Sequence, residues 1–194
     1  MQSPDSLRGA LGSVYRLTAE FLAQRGVMEK VKAQASEPTR KILEKPPFAF
    51  AWRGYEPLEE IERILYLMPG GPQLCADLGH AAGSQLSGTV IEPVLRMAMS
   101  LFGKTPATMF ANLDRFFSMV VRGFTFSYEA GSAKDGVVLV EIAGGEVHLS
   151  LFEQLRGNLR TIFDLCAVQG SIAAAEVVRH DDQGARIRIP VRWE

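Results

Sequence analysis

Three features of this 194-residue chain predict an α+β domain, an antiparallel four-stranded sheet with helices packed on it. Residues 57–122 carry apolar side chains at helical spacing between Pro-Gly breaks. Phe124 to Tyr128 then alternates strictly, aromatics on one face and hydroxyls on the other. After one more amphipathic helix, two alternating segments flank Asp181-Asp182-Gln183-Gly184, the pattern of a hairpin.

The elements follow in order. Ser3-Pro4 offers an N-cap and a first-turn proline, and Leu7, Leu11, Val14, Leu17 and Phe21 continue at helical period. Gly26 interrupts that helix, and Glu37-Pro38 ends the next. Lys45-Pro46-Pro47-Phe48 reads as a linker, since two prolines in series cannot continue a helix. It divides a helical N-terminal arm, residues 1–47, from an α+β ligand-binding-like domain, residues 48–194. Pro57 opens a helix with Glu59, Glu60 and Glu62 in its first turns, where the macrodipole favours them, and Leu58, Ile61, Leu65 and Met68 as its stripe. A second helix, about Gln73 to Leu86, contains Gly79 and Gly83, which let a neighbouring backbone come close. Thr89-x-x-Glu92 is a capping box for a third helix ending at Gly103. Thr105-Pro106 opens a fourth, burying Met109, Leu113, Phe116, Val120 and Val121.

Beyond Gly123 the strands begin, Val137 to Ile142 being apolar on nearly every residue. Ser150-x-x-Glu153 is another capping box, for a helix with Leu151, Leu155, Leu159, Ile162, Phe163 and Cys166 on one face and Gly170 as its stop. In the last strand Ile187, Ile189, Val191 and Trp193 face inward and Arg186, Arg188 and Arg192 outward. Pro190 places that strand at an edge or near its end, because proline donates nothing to a ladder.

Composition narrows the function. With 47% apolar and 22% charged residues the chain is neither disordered nor collagen-like, and two cysteines exclude a disulfide scaffold. The longest mostly apolar stretch, Val90 to Phe102, contains Glu92 and Arg96 and is too short to span a bilayer. The N-terminus has no basic head followed by an apolar run, so a cytoplasmic location is expected. A net charge of -1 gives no electrostatic case for nucleic acid. The basic excess of the first 56 residues is interrupted by Glu29, Glu37 and Glu44 and reads as a solvated helix face.

Motifs that carry catalysis are missing. No CxxC, HxxxH, HExxH or GxSxG occurs, so neither a metal site nor a nucleophile is expected. Cys166 closes an apolar helix face and reads as a core thiol. Between Met97 and Phe126, however, lie six of the 11 Phe and four of the seven Met. The candidates for a ligand pocket are Met97, Phe102, Met109, Phe110, Phe116, Phe117, Met119, Phe124 and Phe126; the same residues equally suit a core or a subunit interface. His80, flanked by small residues in ADLGHAAG, leaves room for a flat ligand such as haem, or is a plain exposed histidine.

LCADLGHAAGSQLSGT, LFGKTP, FANLDRFFSMVVRGFTFSYEAG and the ending FEQLRGNL…AVQG…VVRHDDQGARIRIPVRW resemble an uncharacterised paralogous family expanded in myxobacteria. The matching positions are Leu78-Gly79, Gly103, Leu113 to Phe126, Gly157-x-Leu159, Gly170 and Val191-Arg192-Trp193. That family is similar to a wider group of 4-vinyl-reductase domains, haem-nitric-oxide-binding domains and transport-protein-particle subunits. The resemblance implies a transport-protein-particle-subunit-like α+β fold, an internal hydrophobic pocket and frequent dimerisation. It transfers no catalytic residue. The cysteines of the 4-vinyl-reductase type and the Tyr-x-Ser-x-Arg signature of the nitric-oxide binders are missing here.

The expectation is a non-catalytic sensory or regulatory module that binds an apolar small molecule, without a cofactor, and acts as a homodimer. The alternatives are a scaffold or tethering protein working through protein partners, and a haem-based gas sensor using His80.

Overall fold

The computed structural model describes residues 7–85, 103–144 and 147–194. Its N-terminal part runs β1 (Gly9–Leu11), α1 (Gly12–Gln24), α2 (Met28–Gln34), α3 (Glu37–Glu44), β2 (Trp52–Gly54), α4 (Glu56–Tyr66) and α5 (Gly71–Gln85). Then come α6 (Pro106–Ala111), α7 (Leu113–Phe117), β3 (Val121–Arg122), β4 (Phe124–Ala130), β5 (Asp135–Ala143), α8 (Leu149–Cys166), β6 (Gly170–Ile172), β7 (Glu176–Asp181) and β8 (Gly184–Trp193). The architecture is mixed α+β with two antiparallel sheets.

Residues 9–11 form a strand, not the start of the predicted first helix. Ala10 pairs with Arg53 of β2 on one side and Val121 of β3 on the other, so distant partners override a local helical period. Glu37-Pro38 opens α3 rather than closing a helix; in the first turn proline's missing N–H is not needed. Three donors fix α3 to α4 through Glu60: the Ser36 amide at 2.6 Å, its hydroxyl at 2.7 Å, and the Thr39 hydroxyl. Burial pushes the Glu60 carboxyl up, but these bonds outweigh it and hold it below its ordinary range. Leu22, Val31 and Leu43 share one buried cluster with Ile61, Leu65 and Leu78 of α4 and α5.

The helix predicted from the Thr89 capping box lies outside the described residues. Thr105 caps α6 as expected, its hydroxyl accepting from the Thr108 amide at 3.3 Å. The fourth predicted helix is two short ones, α6 and α7, and its intended end, Val121, belongs to β3.

The larger sheet has five strands rather than four, in the order β4-β5-β8-β6, with β7 also on β8. The first of the two segments expected to form the hairpin is split: β6 covers the Val191–Trp193 end of β8 and β7 covers Gly184–Arg188. Pro190 explains the gap. It lies near the end of β8 (Gly184–Trp193), as one of the two expected placements has it, but β8 is flanked on both sides, with Pro190 paired to Val137 of β5 on one of them, so the edge alternative does not hold. On the other side its carbonyl accepts from the Ala173 amide at 2.9 Å, and its absent N–H points the same way, into the break between β6 and β7.

The inner face of this sheet, Val138, Val140, Ile187 and Ile189, packs on α8, whose predicted apolar stripe from Leu151 to Cys166 is buried throughout. The cap of α8 is His148 rather than Ser150: His148 Nδ1 accepts from the Ser150 amide at 3.1 Å. Its end is Ala167 rather than Gly170, with φ 55° and ψ 43°.

α5 lies across α8 at backbone contact. A Cβ added at Gly79 would stand 1.9 Å from the Gln154 carbonyl oxygen, and one at Gly157 1.8 Å from that of Ala76. Because rigid backbone lies opposite, Gly157→Ala is expected to destabilise by about 3 kcal/mol, measured by urea unfolding. Ala167→Gly is expected to stabilise by about 1 kcal/mol in the same assay, since the left-handed conformation penalises a Cβ.

Candidate functional site

A partly open cavity of about 50 Å³ lies where α1, α7, β4 and α8 converge. Its apolar wall includes Val14, Leu17, Phe117, Phe124, Leu151 and Leu155, and its polar groups are Tyr55, Gln154 and Asn158. The helical period of α8 explains the mixture, since Leu151, Gln154, Leu155 and Asn158 recur at three- and four-residue spacing on one face. β3 and β4, held by β1 and β5, bring Val121 and Phe124 to the opposite wall.

The candidate pocket residues separate into two groups. Phe117 and Phe124 lie on the cavity wall. Phe117 lies tilted against Phe126 with ring centroids 4.4 Å apart, and Phe124 meets Tyr55 edge-on at 5.3 Å. Met109, Phe110, Phe116 and Phe126 are buried in the main core, with Met119 packed against it. Phe110 is its aromatic centre, within 5.9 Å of Tyr128, Phe163 and Trp193. Met97 and Phe102 lie outside the described residues.

His80 does not face the cavity. Its Nε2 lies 2.5 Å from Asp164 Oδ2 at a half-exposed position beside the groove between α5 and α8. His148 is occupied in capping α8, and His180 Nε2 accepts from the Val147 amide at 3.4 Å. Among the described residues no cluster of three His, Cys, Asp or Glu could hold a metal. None of the described helices is long and apolar enough to cross a membrane.

Behind the cavity wall stands a polar cluster that sequence reasoning missed. Glu62 of α4 is 1% exposed, and its Oε1 accepts from the Tyr55 hydroxyl at 2.9 Å. The same hydroxyl is 3.1 Å from Gln154 Oε1. Glu62 Oε2 has no hydrogen-bond partner. Burial, reinforced by the nearby Glu59, pushes the Glu62 carboxyl up to about 8, against the opposing pull of Tyr55, Arg8 and Gln154. Burial and Glu62 likewise push the Cys75 thiol up to about 12 and Tyr55 well above its ordinary range. Tyr15 donates to the Gly54 carbonyl and is raised for the same first reason, burial.

A signal for Glu62 was present in the sequence: four residues after Leu58 and three before Leu65, it falls inside the apolar stripe of α4. Its raised pKa has a definite sign. Between the ordinary 4.5 and about 8, the folded protein keeps a proton that the unfolded chain releases, so stability falls as pH rises through that window. Denaturation from roughly pH 5.5 to 8.5 is expected to show a loss of about 3 kcal/mol, absent in Glu62→Gln.

No family model and no curated protein matches the chain. Solved structures do. The Fe(II) unliganded H-NOX protein from K. algicida superposes with a TM-score of 0.68 at 12% identity, over 95% of this chain and 96% of that one. The H-NOX protein from S. oneidensis in its Fe(II)NO ligation state gives 0.65 at 8% identity, over 95% and 99%. A variant of the T. tengcongensis H-NOX gives 0.60 at 10% identity, over 93% and 95%. The chain shares the fold of H-NOX proteins.

Proposed function

We propose that this chain is a non-catalytic sensory or regulatory module that binds a small uncharged apolar molecule in the cavity beside Tyr55 and Gln154. The observation that carries the reading is the cavity itself, apolar on most of its wall with its polar groups gathered from Tyr55 and one face of α8. Ligand sites are typically concave and apolar with a few placed polar groups, though of about 300–1,000 Å³. At about 50 Å³ this one suits an occupant of a few heavy atoms. Signal transfer through a homodimer completes the proposal. A scaffold or tethering role through protein partners draws support from Phe48 and Phe50, which are exposed between α3 and β2.

Haem is the group that the iron-bearing H-NOX structures bring to mind, and the residues present do not fit it. All three histidines of the chain are engaged away from the cavity wall. Tyr55, the wall residue whose type serves as a haem ligand elsewhere, is kept a neutral phenol by burial and by Glu62. The cavity is too small for a porphyrin. On this reading the chain is a paralogue in which the H-NOX fold keeps a pocket but not a haem site.

The test pairs two titrations. Xenon and dichloromethane, occupants of one to three heavy atoms, are expected to raise the melting temperature of the purified protein, and Leu155→Phe, which fills the cavity, to abolish the rise. Haemin is expected to give no Soret band of a ligated haem. A stoichiometric Soret band lost in His80→Ala would replace this reading with the gas-sensor alternative.

A further inference from the structure

On the opposite face of α8 from the cavity runs a groove of about 290 Å³, walled by α5, α8 and β6. Glu153, Arg156, Gly157 and Arg160 of α8 line it, half a turn away from the Leu151, Gln154, Leu155 and Asn158 face that lines the cavity. The groove and the cavity share no residue. The backbone contact of Ala76 with Gly157 lies along the groove, and Ile172 gives it an apolar side.

Hydrogen-bond donors go unused at one end of this groove. β6 is an edge of the larger sheet, and its register decides which of its amides are free. The Ala173 amide donates to the Pro190 carbonyl, and the Gln169 carbonyl accepts from the Glu194 amide, both bonds running between β6 and β8 or their continuations. Alternation then turns Ser171 toward β8 and Gly170 and Ile172 away from it. The Ile172 carbonyl has that direction, accepting from Arg156 Nη2 at 3.4 Å. Gly170 and Ile172 therefore present N–H groups that β8 does not use. Gly170 lies toward the Arg160 end of α8, where a Cβ added to it would stand 2.6 Å from the Phe163 ring. Arg156 also meets Glu153 through Nη1 at 2.6 Å, yet its Nε is buried without a partner. Arg160 is exposed and makes no ion pair among the described residues.

We propose that this groove binds a small organic anion, with its carboxylate held by Arg160 and the Gly170 amide beside Arg156, and its apolar body lying along Ile172 and Ala76. A guanidinium and a backbone amide give a carboxylate charge-assisted hydrogen bonds from two sides. The volume stands at the lower end of ordinary ligand pockets, and a bare inorganic ion would leave most of it to water. The acids of the groove are already neutralised. Glu153 is paired with Arg156 at 2.6 Å, and Asp77 with Arg25 at 2.6 Å. Both belong to the first two turns of their helices, and Arg160 stands about 10 Å further along α8 than Glu153. Asp164, one turn beyond Arg160, is taken by His80 at 2.5 Å.

The test is an NMR titration of the full chain with benzoate, with benzamide as its neutral isostere and inorganic phosphate as an anion without the apolar body. Benzoate is expected to saturate at millimolar concentration and to shift the Gly170, Ser171 and Ile172 amides, while benzamide and phosphate bind at least about tenfold more weakly. Arg160→Gln, a change at an exposed position, is expected to weaken benzoate by about tenfold without altering the melting temperature. No saturation by benzoate overturns the proposal. So does benzamide binding equally well, which removes the role of charge, or phosphate binding equally well, which removes the organic body. Benzoate affinity unchanged in Arg160→Gln also overturns it, because the anion then sits elsewhere. None of these outcomes bears on the cavity, whose wall is made of other residues.

Discussion

Because Gly79 and Gly157 carry no Cβ, the backbones of α5 and α8 touch, and the position of α8 follows from that contact. The Gln154 carbonyl rests where a side chain on α5 would otherwise stand. The Gln154 side chain, leaving the same residue, reaches the Tyr55 hydroxyl at the head of α4. Moving α8 outward by the width of a methyl group would separate Gln154 from Tyr55 and open the cavity wall that Leu151 and Leu155 form. Helix packing, the buried cluster and the cavity are thus one geometric arrangement rather than three.

Sharing a fold with H-NOX proteins leaves the site to be argued from its own residues. Here the histidines cap a helix, accept from a loop amide or pair with a surface carboxylate. The chemistry of the interior is supplied by an acid, a phenol and an amide. A buried carboxyl lowers stability at alkaline pH, so its presence in α4 is unexplained by packing, which a leucine would serve better.

Much of the fold was legible from side-chain period. The alternation of β4 and β8, the stripe of α8 and the Thr105 cap are local patterns that survive because the tertiary structure agrees with them. What was not legible depends on partners distant in the chain. Gly9–Leu11 becomes a strand only because β2 and β3 flank it, and three residues carry no period of their own. Pro190 looked like an edge residue since the sequence does not say which side its missing donor faces. Of the site, the aromatic run was visible, yet only Phe117 and Phe124 of its described members reach the cavity. Glu62 looked like a helix-start acid because its burial depends on Tyr55 and on Gln154, a residue from a helix far along the chain.

The cavity wall draws on α1, the head of α4, α5, α7, the turn into β3, β4 and α8. Its residues are spread from Val14 to Asn158. During synthesis the enclosure therefore cannot form until α8, which ends at Cys166, has left the ribosome and docked on α5. A truncated or stalled product carries the apolar wall residues without the enclosure they form, and exposes them as sticky surface. The enclosure forms only once the residues from Val14 to Asn158 are all in place.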